Sequence, residues 1–196
     1  MNLNTIDVVI LPVEDEDIQE IFDLAAVTLE PTEVAWRAYF PNSTKEDGRK
    51  AGAERYLQAK QRNQHAVYHK AVDTTDGKIV GFSIWAVYHN GMPEFRAQPP
   101  DSYWPSAEDA EYAKSMIGWF AQQRIARVRS MGGKAVHLNT LAVLPEYSRK
   151  GIGSKLLVWG LDKADELRLD SFLEASVMGR GLYENCLLYT SPSPRD

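Results

Sequence analysis

A short segment, residues 143–156, carries the residue types that bind phosphate. It reads VLPEYSRKGIGSKL, so Arg149 and Lys150 stand directly before Gly151 and the nearby Gly153. Glycines let a ligand approach the backbone closely, and the first N–H groups of a helix have no partner within the helix. The helix dipole adds about half a positive charge at that end. The segment therefore predicts a diphosphate site at the start of a helix.

Two common nucleotide-binding patterns do not fit this segment. The dinucleotide pattern needs a third glycine where Leu156 stands, and the P-loop needs a glycine directly before Lys-Ser or Lys-Thr, whereas Ser154 precedes Lys155. A nucleotide-dependent kinase or dehydrogenase is therefore disfavoured. A pair of glycines is also common in a plain turn between a strand and a helix, and this alternative stays open.

The sequence predicts a series of strands and helices, and residues 143–156 connect one of these strands to the helix that follows it. Period-two and apolar runs predict strands at residues 7–12, 66–73, 78–88, 134–144 and 171–176. Helical spacing predicts helices at residues 18–31, 44–62, 106–131 and 151–167, with another beginning at residue 182. The Asp76-Gly77 pair predicts a hairpin, and residues 90–105, rich in proline, predict a long loop.

Two helix starts have candidate caps. Ser43 or Thr44 is predicted to cap the second helix, because acidic residues follow in its first turn. Ser106 with Asp109 has the spacing of a capping box. The whole order is that of one α/β domain.

The composition indicates a globular domain and argues against partners that are nucleic acids or membranes. A chain of 196 residues with 44% hydrophobic and 25% charged residues fits one domain with its own core. The net charge of -5 gives no basic field for nucleic acid. No apolar run approaches the ~20 residues of a membrane span, so we expect a soluble, intracellular, cytoplasmic protein without a membrane partner. The single cysteine, Cys186, excludes an intrachain disulfide and a cysteine-based zinc site.

The last eleven residues differ in composition from the rest. Residues 186–196 read CLLYTSPSPRD, which resembles one reading frame of the transposon-end adapter used to prepare sequencing libraries. We therefore predict a domain at residues 1–185 and a non-native, disordered tail at residues 186–196. A natural terminus rich in serine and proline is the alternative.

Two stretches resemble a known family. HLNTLAVLPEYSRKGIGSKLL resembles the acyl-CoA-binding motif of the GNAT superfamily of N-acetyltransferases, in which Gln or Arg, two variable residues, Gly and one variable residue precede Gly or Ala. Arg149, Lys150, Gly151, Ile152 and Gly153 match the motif, whereas Ser148 stands at its first position. LEASVMGRGLYEN resembles the following strand and helix in fungal-type members.

The resemblance implies a fold, a co-substrate and a reaction. The fold is a mixed α/β (α+β) one, with a mostly antiparallel, twisted central sheet flanked by helices. The closing C-terminal strands are expected to be missing, so we expect reduced solubility, with an inactive chain as the alternative to an active enzyme. The reaction is the transfer of acetyl from acetyl-CoA to a primary amine of a small molecule or peptide, by direct attack in a ternary complex. The alternative is a non-catalytic acyl-CoA-binding module.

The resemblance also assigns the coenzyme contacts. In the family, main-chain groups of the strand before the loop hold the pantetheine arm, and the loop holds the pyrophosphate. The implied coenzyme-binding residues are Leu141, Ala142, Val143, Ser148, Arg149, Lys150, Gly151, Ile152, Gly153 and Ser154.

Candidate catalytic residues lie on either side of that loop. His137 is on the same strand and suits proton abstraction near neutral pH; the alternative is a structural residue hydrogen-bonded on a face of the sheet. Tyr183 matches the tyrosine that protonates the leaving thiolate in many relatives, or is a packed aromatic residue. The resemblance also implies that Glu174 and Ser176 lie on the strand beside the thioester, where they would touch substrate or pantetheine. His65 and His69 have no third ligand at suitable spacing, so no metal is predicted.

Overall fold

The computed structural model describes residues 6–89, 99–174 and 182–183. Within them, five strands form one sheet in chain order: β1 (Val8–Pro12), β2 (Ala66–Asp73), β3 (Ile79–Tyr88), β4 (Ala135–Val143) and β5 (Ser171–Leu173). All neighbouring strands are antiparallel except β4 and β5, which are parallel. The predicted mixed fold with a mostly antiparallel sheet is therefore confirmed.

Five α-helices accompany the sheet in the described residues. They are α1 (Ile18–Leu29), α2 (Val34–Tyr39), α3 (Glu46–Arg62), α4 (Ala107–Ser130) and α5 (Ile152–Leu167), with short 3₁₀ turns at Asp15–Asp17, Asp101–Tyr103 and Pro145–Tyr147. Helices α1 and α3 pack together beside one face of the sheet, where Phe82 and Ile84 join their core. Helix α5 covers the other face, where Trp85 and Leu138 are buried against it.

An aromatic cluster explains a helix that the sequence did not predict. The rings of Trp36, Phe40 and Tyr56 lie 5.1–5.3 Å from the ring of Phe22, centroid to centroid. Trp36 and Phe40 come from the six-residue helix α2 and the residue after it. A helix this short depends on such packing rather than on propensity.

The predicted cap of the following helix is wrong. Helix α3 begins after Lys45, which makes no side-chain cap. Ser43 lies two residues earlier, and its buried hydroxyl accepts a hydrogen bond from Nε1 of Trp36 at 3.1 Å. The hydroxyl therefore serves the core cluster and not the first turn of α3.

The other turn signals are confirmed. Gly77 adopts a φ of 79° in the turn between β2 and β3. Ser106 caps α4, since its Oγ accepts from the backbone N–H of Asp109 at 3.1 Å. Gly132 and Gly133 follow the end of α4 with φ values of 70° and 78°. Each glycine takes a conformation that other residues adopt only with strain.

Helix α5 lies unusually close to the sheet. A Cβ at Gly160 would lie 2.3 Å from two indole atoms of Trp85, which is only 1% exposed. Ile152 and Leu156 are also buried, on β1, β2 and β3 residues. These contacts fix the start of α5 just beyond the end of β4.

Several expectations concern other parts of the molecule. No helix among the described residues is long and apolar enough to cross a membrane. The described residues contain no group of three or more side chains that could hold a metal ion. The two histidines considered as metal ligands have aromatic neighbours instead, since the ring of His65 contacts Tyr88 and the ring of His69 contacts Trp159. Most of the predicted loop (residues 90–98), Ser176, the tail at residues 186–196 and any closing strands lie outside the described residues.

Candidate active site

The segment from β4 to α5 has two residues in the left-handed conformation. Arg149 has a φ of 62°, and Gly151, the residue before α5, has a φ of 79° and a ψ of 0°. A left-handed conformation costs a non-glycine residue about 1–2 kcal/mol, so the strain at Arg149 marks this turn. Such turns direct successive N–H groups toward one side of the backbone and create a site for an anion.

The backbone amides of this turn are available to a ligand. Within the described residues, none of the N–H groups of residues 149–154 donates to a backbone carbonyl. The first helical hydrogen bond of α5 runs from the N–H of Lys155 to the carbonyl of Gly151 at 3.1 Å. Six successive donors and the positive end of a helix dipole therefore lie together, as an anion site requires.

The two cationic side chains of the turn differ in their contacts with other protein groups. Arg149 is exposed. The ammonium of Lys150 lies 5.1 Å from the ring centre of Tyr147. Asp73 has a lowered pKa, chiefly because the N–H of Thr75 donates to its carboxylate, with a smaller contribution from Lys150. Arg149 is thus the freer of the two cations.

The hydroxyl of Ser148 also has a local contact, since it donates to the carbonyl of Leu144 at 3.4 Å. The buried Ile152 packs with Val80 and Leu156 and so anchors the turn to the core of the domain. A Cβ at Gly153 would lie 3.1 Å from Cδ2 of Leu182, so the helical residues 182–183 adjoin the turn.

Strands β4 and β5 separate as they approach the turn. Their pairing covers residues 136–138 and 171–173. Trp85 of β3 pairs with Leu138 while Ile84 pairs with Thr140, so Asn139 is the extra residue of a β-bulge. From residue 139 to residue 143, β4 has no partner on its β5 side in the described part of the chain. The open edge includes Leu141, Ala142 and Val143, whose predicted main-chain contacts with the coenzyme stay a prediction.

His137 is buried in a network of polar and aromatic contacts. Its side chain is 0% exposed, and its ring stacks on Phe172 with 4.6 Å between the centroids. Its Nε2 lies 3.0 Å from Oε2 of Glu174. Arg124 of α4 binds the same carboxylate, with Nη2 3.1 Å from Oε2 and Nε 3.4 Å from Oε1.

The charge state of Glu174 defines the direction of these hydrogen bonds. Burial would raise the pKa of Glu174, but the hydrogen bond and charge of His137, together with Arg124, lower it from 4.5 to about 2. The carboxylate is therefore ionised at neutral pH and can only accept. Nε2 of His137 must therefore carry the proton of this hydrogen bond.

Tyr183 is a partly buried residue next to Leu182. It packs with the core cluster of Trp85, Leu138 and Leu157. Burial raises the pKa of Tyr183, and the negative charge of Glu33 raises it further. The phenol therefore stays protonated at neutral pH and can donate a proton, as its predicted role requires.

The sequence reasoning did not predict Arg124 as a site residue. Its signal was present, because Arg124 belongs to an inward-facing row with Ala113, Ile117, Ala121 and Val128, at spacings of three or four. A cation in a row of otherwise apolar residues on one helix face indicates a buried acidic partner.

The open edge of β4 is followed directly by an amide-lined turn at the start of a helix. Residues 31–186 match the family described as "Acetyltransferase (GNAT) family". The chain belongs to this family.

Solved structures share the fold at low sequence identity. Glucosamine-6-phosphate N-acetyltransferase from Arabidopsis thaliana is 15% identical, with 95% of each chain covered and a TM-score of 0.53. Aminoglycoside 6'-N-acetyltransferase AAC(6')-Ih from Acinetobacter baumannii is 13% identical, with 95% of this chain and 94% of that chain covered and a TM-score of 0.56. Aminoglycoside N-acetyltransferase AAC(6')-Iy, solved in complex with CoA, is 12% identical, with 98% and 95% covered and a TM-score of 0.53. No curated protein matches the chain.

Proposed function

We propose that the protein transfers an acetyl group from acetyl-CoA to a primary amine of a small molecule or peptide, by direct attack in a ternary complex. The run of unbonded amides at residues 149–154, beside the open edge of β4, carries this proposal. Family membership and a CoA complex with the same fold support it.

The coenzyme lies across the start of α5 in this proposal. The amides of the turn and the guanidinium of Arg149 bind the pyrophosphate, because a diphosphate accepts several donors at once. Lys150 adds charge from its position beside Tyr147. The pantetheine arm follows the open edge of β4 and bonds to main-chain groups of residues 141–143. The acetyl group then lies where β4 and β5 separate.

The reaction needs two proton transfers. The amine nitrogen attacks the thioester carbonyl carbon, the carbon–sulfur bond breaks, and sulfur leaves as a thiolate. His137 accepts the proton of the amine through a water molecule, because its side chain is 0% exposed. Tyr183 returns a proton to the thiolate. Glu174 stays ionised throughout and stabilises the protonated imidazole, as the carboxylate does in a catalytic triad.

One observation favours the second candidate function, a non-catalytic acyl-CoA-binding module. The ring of His137 is 0% exposed and stacked on Phe172, which is also the environment of a structural histidine. The two functions share the coenzyme site and differ in turnover.

Calorimetric titration with CoA tests the shared site. The double variant Arg149→Glu/Lys150→Glu should bind CoA at least about 10-fold more weakly, since charge reversal removes charge-assisted contacts to the pyrophosphate. Lys134→Glu is the matched control, because Lys134 is exposed at the opposite end of β4 and has no ion pair among the described residues. Equal affinity of the double variant and the control would contradict the proposed site.

Turnover separates the two functions. Thiol release from acetyl-CoA is measured across a panel of small primary amines and short peptides. Amine-dependent release above background supports the transferase. Saturable CoA binding without release from any amine in the panel supports the binding module.

A further inference from the structure

A chain of three side chains links α4 to the buried histidine. The Arg124 guanidinium contacts both oxygens of Glu174, and one of those oxygens accepts from Nε2 of His137 at 3.0 Å. The side chains of Arg124 and Glu174 are only 23% and 35% exposed. Partial shielding from water makes such a pair stronger than a surface ion pair.

The chain of contacts ends where the sheet opens. Glu174 directly follows Leu173, the last residue of β5 paired with β4. The parallel register therefore brings Glu174 level with the bulge at Asn139. Under the proposed function, this is where the amine and the thioester meet.

Helix α4 holds Arg124 at a fixed place. Near its start, Ala110 and Ala113 pack with Trp104, and near its end Val128 packs with Ala86 and Ala135. Arg124 lies one turn before Val128. The guanidinium of Arg124 therefore extends from a helix whose two ends are packed against other elements and which lies between β3 and β4 in the sequence.

We propose that Arg124 is a positioning residue, which holds the carboxylate of Glu174 against Nε2 of His137 and so fixes the histidine ring at the opening between β4 and β5. The catalytic consequence rests on the proposed function, whereas the positioning itself does not.

The chemistry of arginine explains why this residue is needed. Its planar fork binds both carboxylate oxygens, which restricts the rotation of the carboxyl group. The low pKa of Glu174, about 2, agrees with a carboxylate that stays ionised in this environment. Without Arg124, the partly exposed carboxylate can turn toward water, and the Nε2 proton of His137 then loses its acceptor.

The hydrogen bond itself is measured first, in protein with ¹⁵N-labelled histidine. NMR follows the exchange of the Nε2 proton of His137 with water. We expect exchange to be at least about 10-fold faster in Glu174→Ala, which has no side-chain acceptor, and in Arg124→Met, in which the carboxylate is no longer held against Nε2. Arg124→Lys keeps the charge but not the fork, and should lie between Arg124→Met and the wild type. Arg127→Met is the control, because Arg127 is exposed on the same helix and has no ion pair in the described part of the chain.

A double variant tests whether Arg124 acts through Glu174. If it does, Arg124→Met/Glu174→Ala exchanges no faster than Glu174→Ala alone. In amine acetylation, Arg124→Met should lower kcat by roughly 10-fold or more and leave the KM for acetyl-CoA within about 2-fold, because only proton transfer is affected.

Unchanged exchange in Arg124→Met, or a full additional effect of Arg124→Met in the Glu174→Ala background, would overturn the inference. If the variants show the expected exchange pattern but the wild type acetylates no amine, the proposed function is contradicted and the positioning role of Arg124 is not.

Discussion

Gly160 is the position where one added methyl group tests both the packing of α5 and the coenzyme site. In Gly160→Ala the new Cβ would lie 2.3 Å from Cε2 and Cζ2 of Trp85 and 2.5 Å from Cδ2. Carbon atoms normally approach to about 3.5–4.0 Å, so the helix must move away from the sheet by more than 1 Å or the indole must shift. Trp85 is 1% exposed and has little room to shift.

The net effect on stability follows from two opposing terms. Overpacking of this kind costs up to about 3 kcal/mol, whereas alanine favours a helix over glycine by about 1 kcal/mol. Gly160→Ala should therefore lower the free energy of unfolding by about 2 kcal/mol, which is roughly 4–8 °C in Tm for a domain of this size.

Gly118 on α4 is the matched control. A Cβ at Gly118 meets no atom within 4 Å. Gly118→Ala therefore shows the helix-propensity gain alone, and should raise the free energy of unfolding by up to about 1 kcal/mol. Urea unfolding measures both variants under the same conditions.

The same pair of variants reports on the coenzyme site. A shift of α5 at Gly160 also moves the amide-lined turn at its start, so CoA affinity should fall in Gly160→Ala and stay unchanged in Gly118→Ala. The packing argument is refuted if Gly160→Ala is as stable as the wild type or more stable.

Three further variants test individual contacts. The folded-state pKa of Glu174 is lowered to about 2, so the stabilising effect of its carboxylate is present above pH 4.5 and is lost as the pH falls toward 2. When solvent screening is taken into account, the free energy of unfolding, measured with urea, should fall by about 1–2 kcal/mol more in the wild type than in Glu174→Gln over that range. Tyr183→Phe should lower kcat by about 10-fold or more without changing CoA affinity, and Tyr112→Phe, an exposed control, should change neither. Ser43→Ala leaves Nε1 of Trp36 without its acceptor and should cost about 1–3 kcal/mol of unfolding free energy, unlike Thr44→Ala.

Local patterns in the sequence predicted most of the fold. The hairpin at Gly77, the cap at Ser106 and the turn at Gly151 each depend on a few neighbouring residues, and all three are confirmed in the structure. The glycines are informative because their positive φ values leave few alternatives at those positions.

Features that depend on distant residues were not predictable in this way. Helix α2 is stabilised by the packing of Trp36 on Phe22, and Ser43 bonds to Trp36 instead of capping α3. The pairing of Arg124 with Glu174 joins residues that only the folded sheet brings together. The roles of His137 and Tyr183 stay predictions, because geometry shows their surroundings but not a reaction.

The order of the strands also has a consequence for folding kinetics. Among the five described strands, only β2 and β3 are joined by a tight turn, whereas β1 reaches β2 across three helices and β3 reaches β4 across α4. Closing a longer loop costs more chain entropy before its contacts form, and non-local strand pairing is slow. During refolding, we therefore expect amides at residues 66–88 to become protected from pulse-labelling hydrogen exchange before those of β1 and β4.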